Sequence, residues 1–416
     1  MRSGLVIAIV EVLLLCSVSS CQSQDLEGCT DPLANNYDPL AEINDGSCTY
    51  DPVSISPQQT YTLNDQLERT SGLILWDGNL WTHNDHADTV LYGLDISTAD
   101  IERTYALTGV KNADWEDISQ DEDYIYIGDF GNNNGNRTDL HVLRIMKNSL
   151  LDENPIIDTI WFSYEDQTDF SLQEAYQTDF DCEAMIVSSD SIYLFTKQWI
   201  SAQTSVYRVP KTPGIFTAIK KDTYDVQGLI TGATYLESER LLVLCGYTTL
   251  LQPFLTLLYG FQGHDFFFGN KRRITISLPF HQIEGIATQN GLNYYISNES
   301  FSLQPVTYTP QRLHKFDLSS FLEEYLTNLA SNLENKQLND EVLIYPIPVN
   351  NHIIVKIDKE LSPSVYKIYD QLGRIFAEGT LVGARFEIDI GHLAPGLFTM
   401  SIGGDSKRVF RILKYH

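Results

Sequence analysis

One short phrase recurs five times between residues 68 and 290: a small or acidic residue set beside Gly, Asp or Ala and followed by apolar residues. The copies are Ser71-Gly72-Leu73-Ile74, Glu116-Asp117-Ile118, Glu183-Ala184-Met185-Ile186, Thr231-Gly232-Ala233-Thr234 and Glu284-Gly285-Ile286-Ala287. Each is followed, after a few polar residues, by a second strand-like run and then a third. A period of this kind marks a radial or stacked architecture, and it puts one side chain per repeat at the same register.

Residues 59–317 read as short strands rich in β-branched and aromatic residues, bounded by Gly, Asn, Asp and Pro. The repeated phrase is the innermost strand of each unit. Second strands are expected at Leu80–His83, Tyr124–Gly128, Ile192–Thr196, Leu241–Gly246 and Asn293–Ser297, with third and fourth strands beyond them. Four-stranded units repeated in this way are propeller blades, so the fold class is all-β, a β-propeller. The fifth unit lacks an outer strand, and Thr60-Tyr61-Thr62-Leu63 is placed to supply one and close the ring. That gives five blades; the long interval from Glu116 to Glu183 leaves room for a sixth.

Innermost strands line a propeller's axis, so Ser71, Glu116, Glu183, Thr231 and Glu284 form one ring. The ends of the second strands form another, holding Asn84 and Asp85, Asp129, Lys197, Tyr247, and Asn298 with Glu299. Carboxylates crowded into a channel raise one another's pKa unless a cation neutralises them. Ca²⁺ or Mg²⁺ bound through Glu116, Glu183 and Glu284 is one solution; an internal network built on Lys197 is the other. His83, His86, Asp85 and Asp88 carry zinc-type donors, but Asn-Asp-His-Ala-Asp also makes an ordinary turn. Gly131–Gly135 has no helix after it and reads as a hairpin, not a phosphate loop. Lys271-Arg272-Arg273 reads as a charged strand edge unless it faces the channel mouth. The chain contains no Gly-x-Ser-x-Gly elbow.

The formal net charge of −27 argues against nucleic acid or anionic lipid as partner of the main body. Residues 1–20 read as a secretory signal: Arg2, an apolar Leu5–Leu15 interrupted by Glu11, then small residues. Two readings of Cys21 stay open, a lipidated mature N-terminus or ordinary cleavage after Ser20. Cys29 and Cys48 bracket a polar loop and are expected to pair in an oxidising compartment, while Cys182 and Cys245 sit in apolar strand patterns as buried thiols. Residues 28–48 form a module too small to fold without a staple. Its Asp31, Asn36, Asp38, Asn44 and Asp45 suit Ca²⁺, or make turns. Leu318, Phe321, Leu322, Tyr325 and Leu329 recur at helical spacing, so 318–341 is a helical and polar linker.

Residues 342–416 alternate with period two between turns and read as a small antiparallel sandwich. Tyr345-Pro346-Ile347-Pro348-Val349, Val365 to Arg374 (Val-Tyr-Lys-Ile-Tyr-Asp-Gln-Leu-Gly-Arg), Ile388 to Leu397 and the basic 407–414 tail carry a resemblance. They resemble the type A C-terminal sorting domain of the type IX (Por) secretion system over nearly its full length. Ile347 departs from that pattern, which has Asn between the prolines. The resemblance implies export across the outer membrane of a Gram-negative bacterium, contact with the secretion machinery, and release or anchoring on surface glycolipid. The 28–48 module resembles a short element of secreted Bacteroidetes proteins. Asp114-Trp115-Glu116-Asp117-Ile118, Tyr126 to Asn133 and Phe180 to Met185 resemble segments of secreted Bacteroidetes propellers, and more distantly the inner strands of esterase-like phytase propellers.

Three functions compete on this reading. The chain is a surface or secreted binder of a ligand or partner through its channel face. Alternatively it is a metal-dependent phosphoesterase, with Glu116, Glu183, Glu284 and Asp129 on the metal and Lys197 facing a phosphate oxygen. A structural envelope protein is the third.

Overall fold

The computed structural model describes residues 26–303, 307–340, 342–345, 349–357, 364–370, 374–381, 385–403 and 408–415. The signal segment, Cys21 and Pro346-Ile347-Pro348 lie outside them. The chain divides into two units, one ending at Asp317 and one beginning at Leu318.

The first unit repeats one theme, an antiparallel meander of four strands whose first strand is the recurring phrase. The first meander is Thr70–Trp76, Asn79–Asn84, Val90–Leu94 and Ile101–Ala106. The second is Trp115–Gln120, Tyr124–Asp129, His141–Met146 and Ile157–Tyr164. The third is Asp181–Val187, Ser191–Lys197, Thr204–Pro210 and Gly214–Tyr224. The fourth is Leu229–Leu236, Leu241–Tyr247, Pro253–Tyr259 and Asn270–Ile276. The fifth has three strands of its own, Ile283–Thr288, Asn293–Asn298 and Arg312–Asp317, and takes its fourth, Gln59–Thr62, from before the first meander. That is the closing strand expected at Thr60–Leu63. Between Glu116 and Glu183 the chain completes the second meander with a short helix, Lys147–Leu151, and two long loops, 130–140 and 165–180; no further sheet occupies the interval.

The five first strands pack against one another in a closed cycle, each touching the next and the fifth returning to the first. Apolar clusters fill the gaps between neighbouring sheets. Ile74, Trp81 and Leu91 of the first meander meet Trp115, Ile118 and Ile127 of the second, while Tyr126, Val142 and Phe162 meet Met185, Leu194 and Tyr207 of the third. Each sheet is therefore apolar on both faces, which is why Ser191–Lys197 and Leu241–Tyr247 are buried at every position. Three outer edges are covered as well. Ile157–Tyr164 pairs in parallel with Gly214–Tyr224, fusing two meanders into an eight-stranded sheet. Ser54–Ile55 pairs in parallel with Asn270–Ile276.

All five first strands carry a β-bulge, each at the ring residue. Pairing jumps from Thr70 to Leu73, and it skips Glu116, Glu183, Thr231 and Glu284 in the other four. The residue that follows, or in the first strand Gly72 within the bulge, faces the crowded axis. A Cβ on Gly232 would sit 2.2 Å from the Glu284 carbonyl oxygen, and one on Gly72 2.4 Å from the Ile118 nitrogen. Asp117 is the exception at this level. Its buried carboxylate accepts from the Ile118 and Met185 N–H groups at 2.8 Å and from Ala233, linking three innermost strands.

The N-terminal module is stapled by Cys29–Cys48 as expected, and Cys182 and Cys245 are buried thiols. Three of its candidate calcium donors make hydrogen bonds of their own. Asp38 and Asp45 accept backbone N–H groups two residues on, from Leu40 and Ser47. Asp31 accepts from Leu33 N–H and from the Tyr50 and Tyr259 hydroxyls, which fastens the module to the fourth meander. Lys271 joins that attachment by donating to the Gly46 carbonyl.

In the second unit a helix spans Ser319–Asp340, running through the stretch that reads as a polar linker. Two sheets follow. One holds Val342–Tyr345, His352–Ile357 and Arg385–Asp389; the other holds Ile375–Leu381, Ser364–Tyr369, Gly396–Ile402 and Arg408–Lys414. They share one core of Val349, Ile353, Val355, Ile368, Phe398, Met400 and Ile412.

Asp117→Asn keeps the shape but sets an amide N–H against backbone donors. Chemical denaturation is expected to show a loss of about 3 kcal/mol, since a buried acceptor is replaced by a mismatched donor.

Candidate functional site

Because a bulge frees its extra residue from the alternation of the strand, it can re-aim that side chain. Four of the five bulge residues, Ser71, Glu116, Glu183 and Glu284, line one cavity of ≈ 300 Å³ at the ends of the first strands. Ser71 Oγ donates to the Glu116 carbonyl. Thr231 stays out of the cavity, its hydroxyl donating to the Ile283 carbonyl.

The second ring divides. Asp85, Lys197, Tyr247 and Glu299 reach the cavity, whereas Asn84, Asp129 and Asn298 do not line it. Asn84 ties Gln66 to Asp88. Asp129, fully buried, accepts from Ala113 and Asp114 N–H groups and from Arg137 at 2.8 Å. Asn298 is held by the Pro310 carbonyl and His314 Nε2. These three shape loops, so Asp129 is not assembled with Glu116, Glu183 and Glu284 as a fourth ligand. His83 is likewise buried against Trp115, apart from His86, which pairs with Asp85 at 2.7 Å. Among the described residues no group of three or more His, Cys, Asp or Glu is spaced to hold one metal ion.

Lys197 is the electrostatic centre. Its Nζ lies 3.0 Å from Glu183 Oε2, with both side chains buried, and it sits over the Trp199 and Tyr247 rings at 4.7 and 5.3 Å. Burial disfavours its charge, but Glu183, Tyr247 and Glu284 outweigh that and hold the ammonium protonated. Arg69, the second base, forks onto Asp85, with Nε 2.7 Å from Oδ1.

The acids are shifted the other way. Burial pushes Glu116 well above the usual carboxylate range, and Glu183 and Asp114 add to it. Burial also raises Glu183 and Glu284, with Lys197 pulling both back. Asp114 is pushed up to about 6 by burial and Asp181, and Glu299 to about 7 by burial and Asp85 against the pull of Arg69. Glu284 Oε2 is buried and has no hydrogen-bond partner.

Sequence reasoning missed Arg69, Asp114, Tyr176 and Trp199. Arg69 and Asp114 each stand one residue ahead of a first strand and two ahead of its ring residue. Trp199 lies in the turn just past the strand that ends at Lys197, where strand alternation gives no signal. Tyr176 comes from the long 165–180 loop and packs on Trp199 with centroids 4.5 Å apart.

The family described as secretion system C-terminal sorting domain matches residues 343–413. The second unit is thus a sorting domain of the type IX secretion kind, which marks the chain for export to the cell surface or beyond. No curated protein matches the sequence. Among solved structures the chain is similar to PorZ, an essential bacterial surface component of the type-IX secretion system of Porphyromonas gingivalis, at 12% identity and a TM-score of 0.32. That match covers 83% of this chain and 45% of PorZ, so the chain spans less than half of that protein.

A carboxylate raised on folding contributes stability below its unfolded pKa and loses it as pH rises through the folded value. With Glu299 near 7 and Asp114 near 6, Tm is expected to fall between pH 5 and pH 8. Glu299→Gln is expected to flatten that fall in scanning calorimetry; an unchanged slope would remove Glu299 from the account.

Proposed function

We propose that the chain is an exported cell-surface or secreted protein whose first unit is a five-bladed β-propeller that binds a small polar ligand in its axial cavity. The cyclic packing of the five first strands and the borrowed closing strand support the propeller. The unpartnered Glu284 Oε2 carries the binding reading. A buried polar oxygen without a hydrogen-bond partner is costly, and a ligand that supplies the partner recovers that cost. The cavity's size and mixed lining, with Trp199, Tyr247 and Leu251 beside the charged groups, fit a small molecule better than a macromolecular surface.

On this reading the sorting domain delivers the propeller through the type IX machinery and across the outer membrane. Anchoring would then come from surface glycolipid or from lipid on Cys21.

Two measurements test the proposal. Deletion of residues 343–413 in the native host is expected to leave the protein in the periplasm, scored by fractionation and surface proteolysis; surface delivery without them refutes the export claim. For the cavity, the full chain is screened against a library of sugars, amino acids and phosphate esters by thermal shift. At least one compound is expected to raise Tm in the parent and not in Thr249→Trp, where an exposed rim residue is enlarged across the mouth. Equal responses in both would place binding elsewhere.

A further inference from the structure

The charges of the cavity do not balance. Six carboxylates and two basic side chains line it. Both bases already have carboxylate partners, Arg69 on Asp85 and Lys197 on Glu183. No Lys, Arg or His lies within 4 Å of the carboxylates of Asp114, Glu116, Glu284 or Glu299 among the described residues. In a partly enclosed cavity such carboxylates repel one another when ionised, and a countercharge relieves them.

Volume and lining narrow the source of that countercharge. A space of ≈ 300 Å³ has room for roughly ten water-sized groups, so it accommodates a molecular frame as well as a charge. Aromatic side chains share the lining with the acids. Lys197 Nζ already rests over Trp199 and Tyr247, which shows that these rings accept an ammonium on their faces. Tyr176, packed on Trp199, extends the same wall to the mouth.

We infer that the axial cavity takes a small organic cation, a primary ammonium or guanidinium on a frame of roughly a dozen heavy atoms or fewer, with the charge against Glu284 and Glu116 and the frame against Tyr176 and Trp199. The inference rests on the ligand-binding reading above and specifies the chemistry of the ligand. Glu284 Oε2 accepts one N–H of the cation, and Glu299 at the rim draws it in. Lys197 stays paired with Glu183.

Matched probes test this on the full chain by isothermal titration calorimetry. Glucosamine and agmatine supply the two cation types, N-acetylglucosamine repeats the first frame without its charge, and CaCl₂ supplies a bare ion. Saturable one-to-one binding is expected for glucosamine or agmatine, at least tenfold tighter than for N-acetylglucosamine. Glu284→Gln is expected to weaken it at least tenfold. Glu299→Gln, a milder change at the rim, is expected to weaken it two- to fivefold and keeps the test valid if the deeper variant misfolds.

Three results overturn the inference. One is equal binding of glucosamine and its acetylated form; another is binding of Ca²⁺ with neither amine. The third is no saturable binding of either amine. A library hit abolished by Thr249→Trp would, in each of these cases, still leave the cavity a ligand site. Absence of any such hit would remove the binding reading itself.

Discussion

The bulge in each innermost strand is the constraint from which the cavity, its charges and the crowded axis all follow. In an unbroken strand, alternate residues face the two neighbouring sheets, and here both interfaces are apolar. A glutamate placed by simple alternation would be driven into one of them at prohibitive desolvation cost. Skipping one residue in the pairing takes Glu116, Glu183 and Glu284 out of both interfaces and turns them toward a shared space. The same distortion brings neighbouring backbones within reach of each other, so little more than glycine or alanine fits next to it. Only Asp117 breaks that restriction, and its carboxylate is consumed by the backbone groups it meets.

Holding several buried acids together requires compensation, and Lys197 supplies most of it. It sits near the end of a strand buried at every residue, so its position is set by packing and not by solvent. The aromatic faces of Trp199 and Tyr247 share its charge with Glu183. The rest of the cost falls on the contacts between sheets, where large side chains such as Trp81, Trp115, Tyr207 and Phe254 are wholly enclosed. Apolar burial at the perimeter thus sustains polar strain at the centre.

The repeat made the meanders legible, because each copy fixes both a strand and the bulge within it. The ring residues were legible for the same reason. The second ring was legible only in part: Asn84, Asp129 and Asn298 sit at strand ends just as Lys197 and Tyr247 do, yet the loops that follow fold back and recruit them. No local pattern separates a polar strand end that faces a cavity from one that braces a turn. Tyr176 and Asn133 come from long loops without period, so only the folded chain brings them to the cavity. In the second unit Ile375–Leu381 escaped notice because Ile375 and Phe376 are exposed, which blurs the alternation. The Asp-rich N-terminal module shows the reverse: its acids are spaced like ligands, but each is taken up by a neighbouring N–H or a tyrosine hydroxyl.

Closure of the ring depends on strands at opposite ends of the first unit, with Thr60 Oγ1 and His314 Nδ1 2.9 Å apart across 254 positions. A ribosome adding about 5–20 residues per second needs roughly 13–50 s to make the second partner after the first. Throughout that interval Gln59–Thr62 lacks the sheet it will close, and the first and fifth innermost strands have not met. The nascent chain therefore carries two open flanks until its last few strands emerge. For a protein bound for export, late closure lengthens the time before the first unit becomes a closed body.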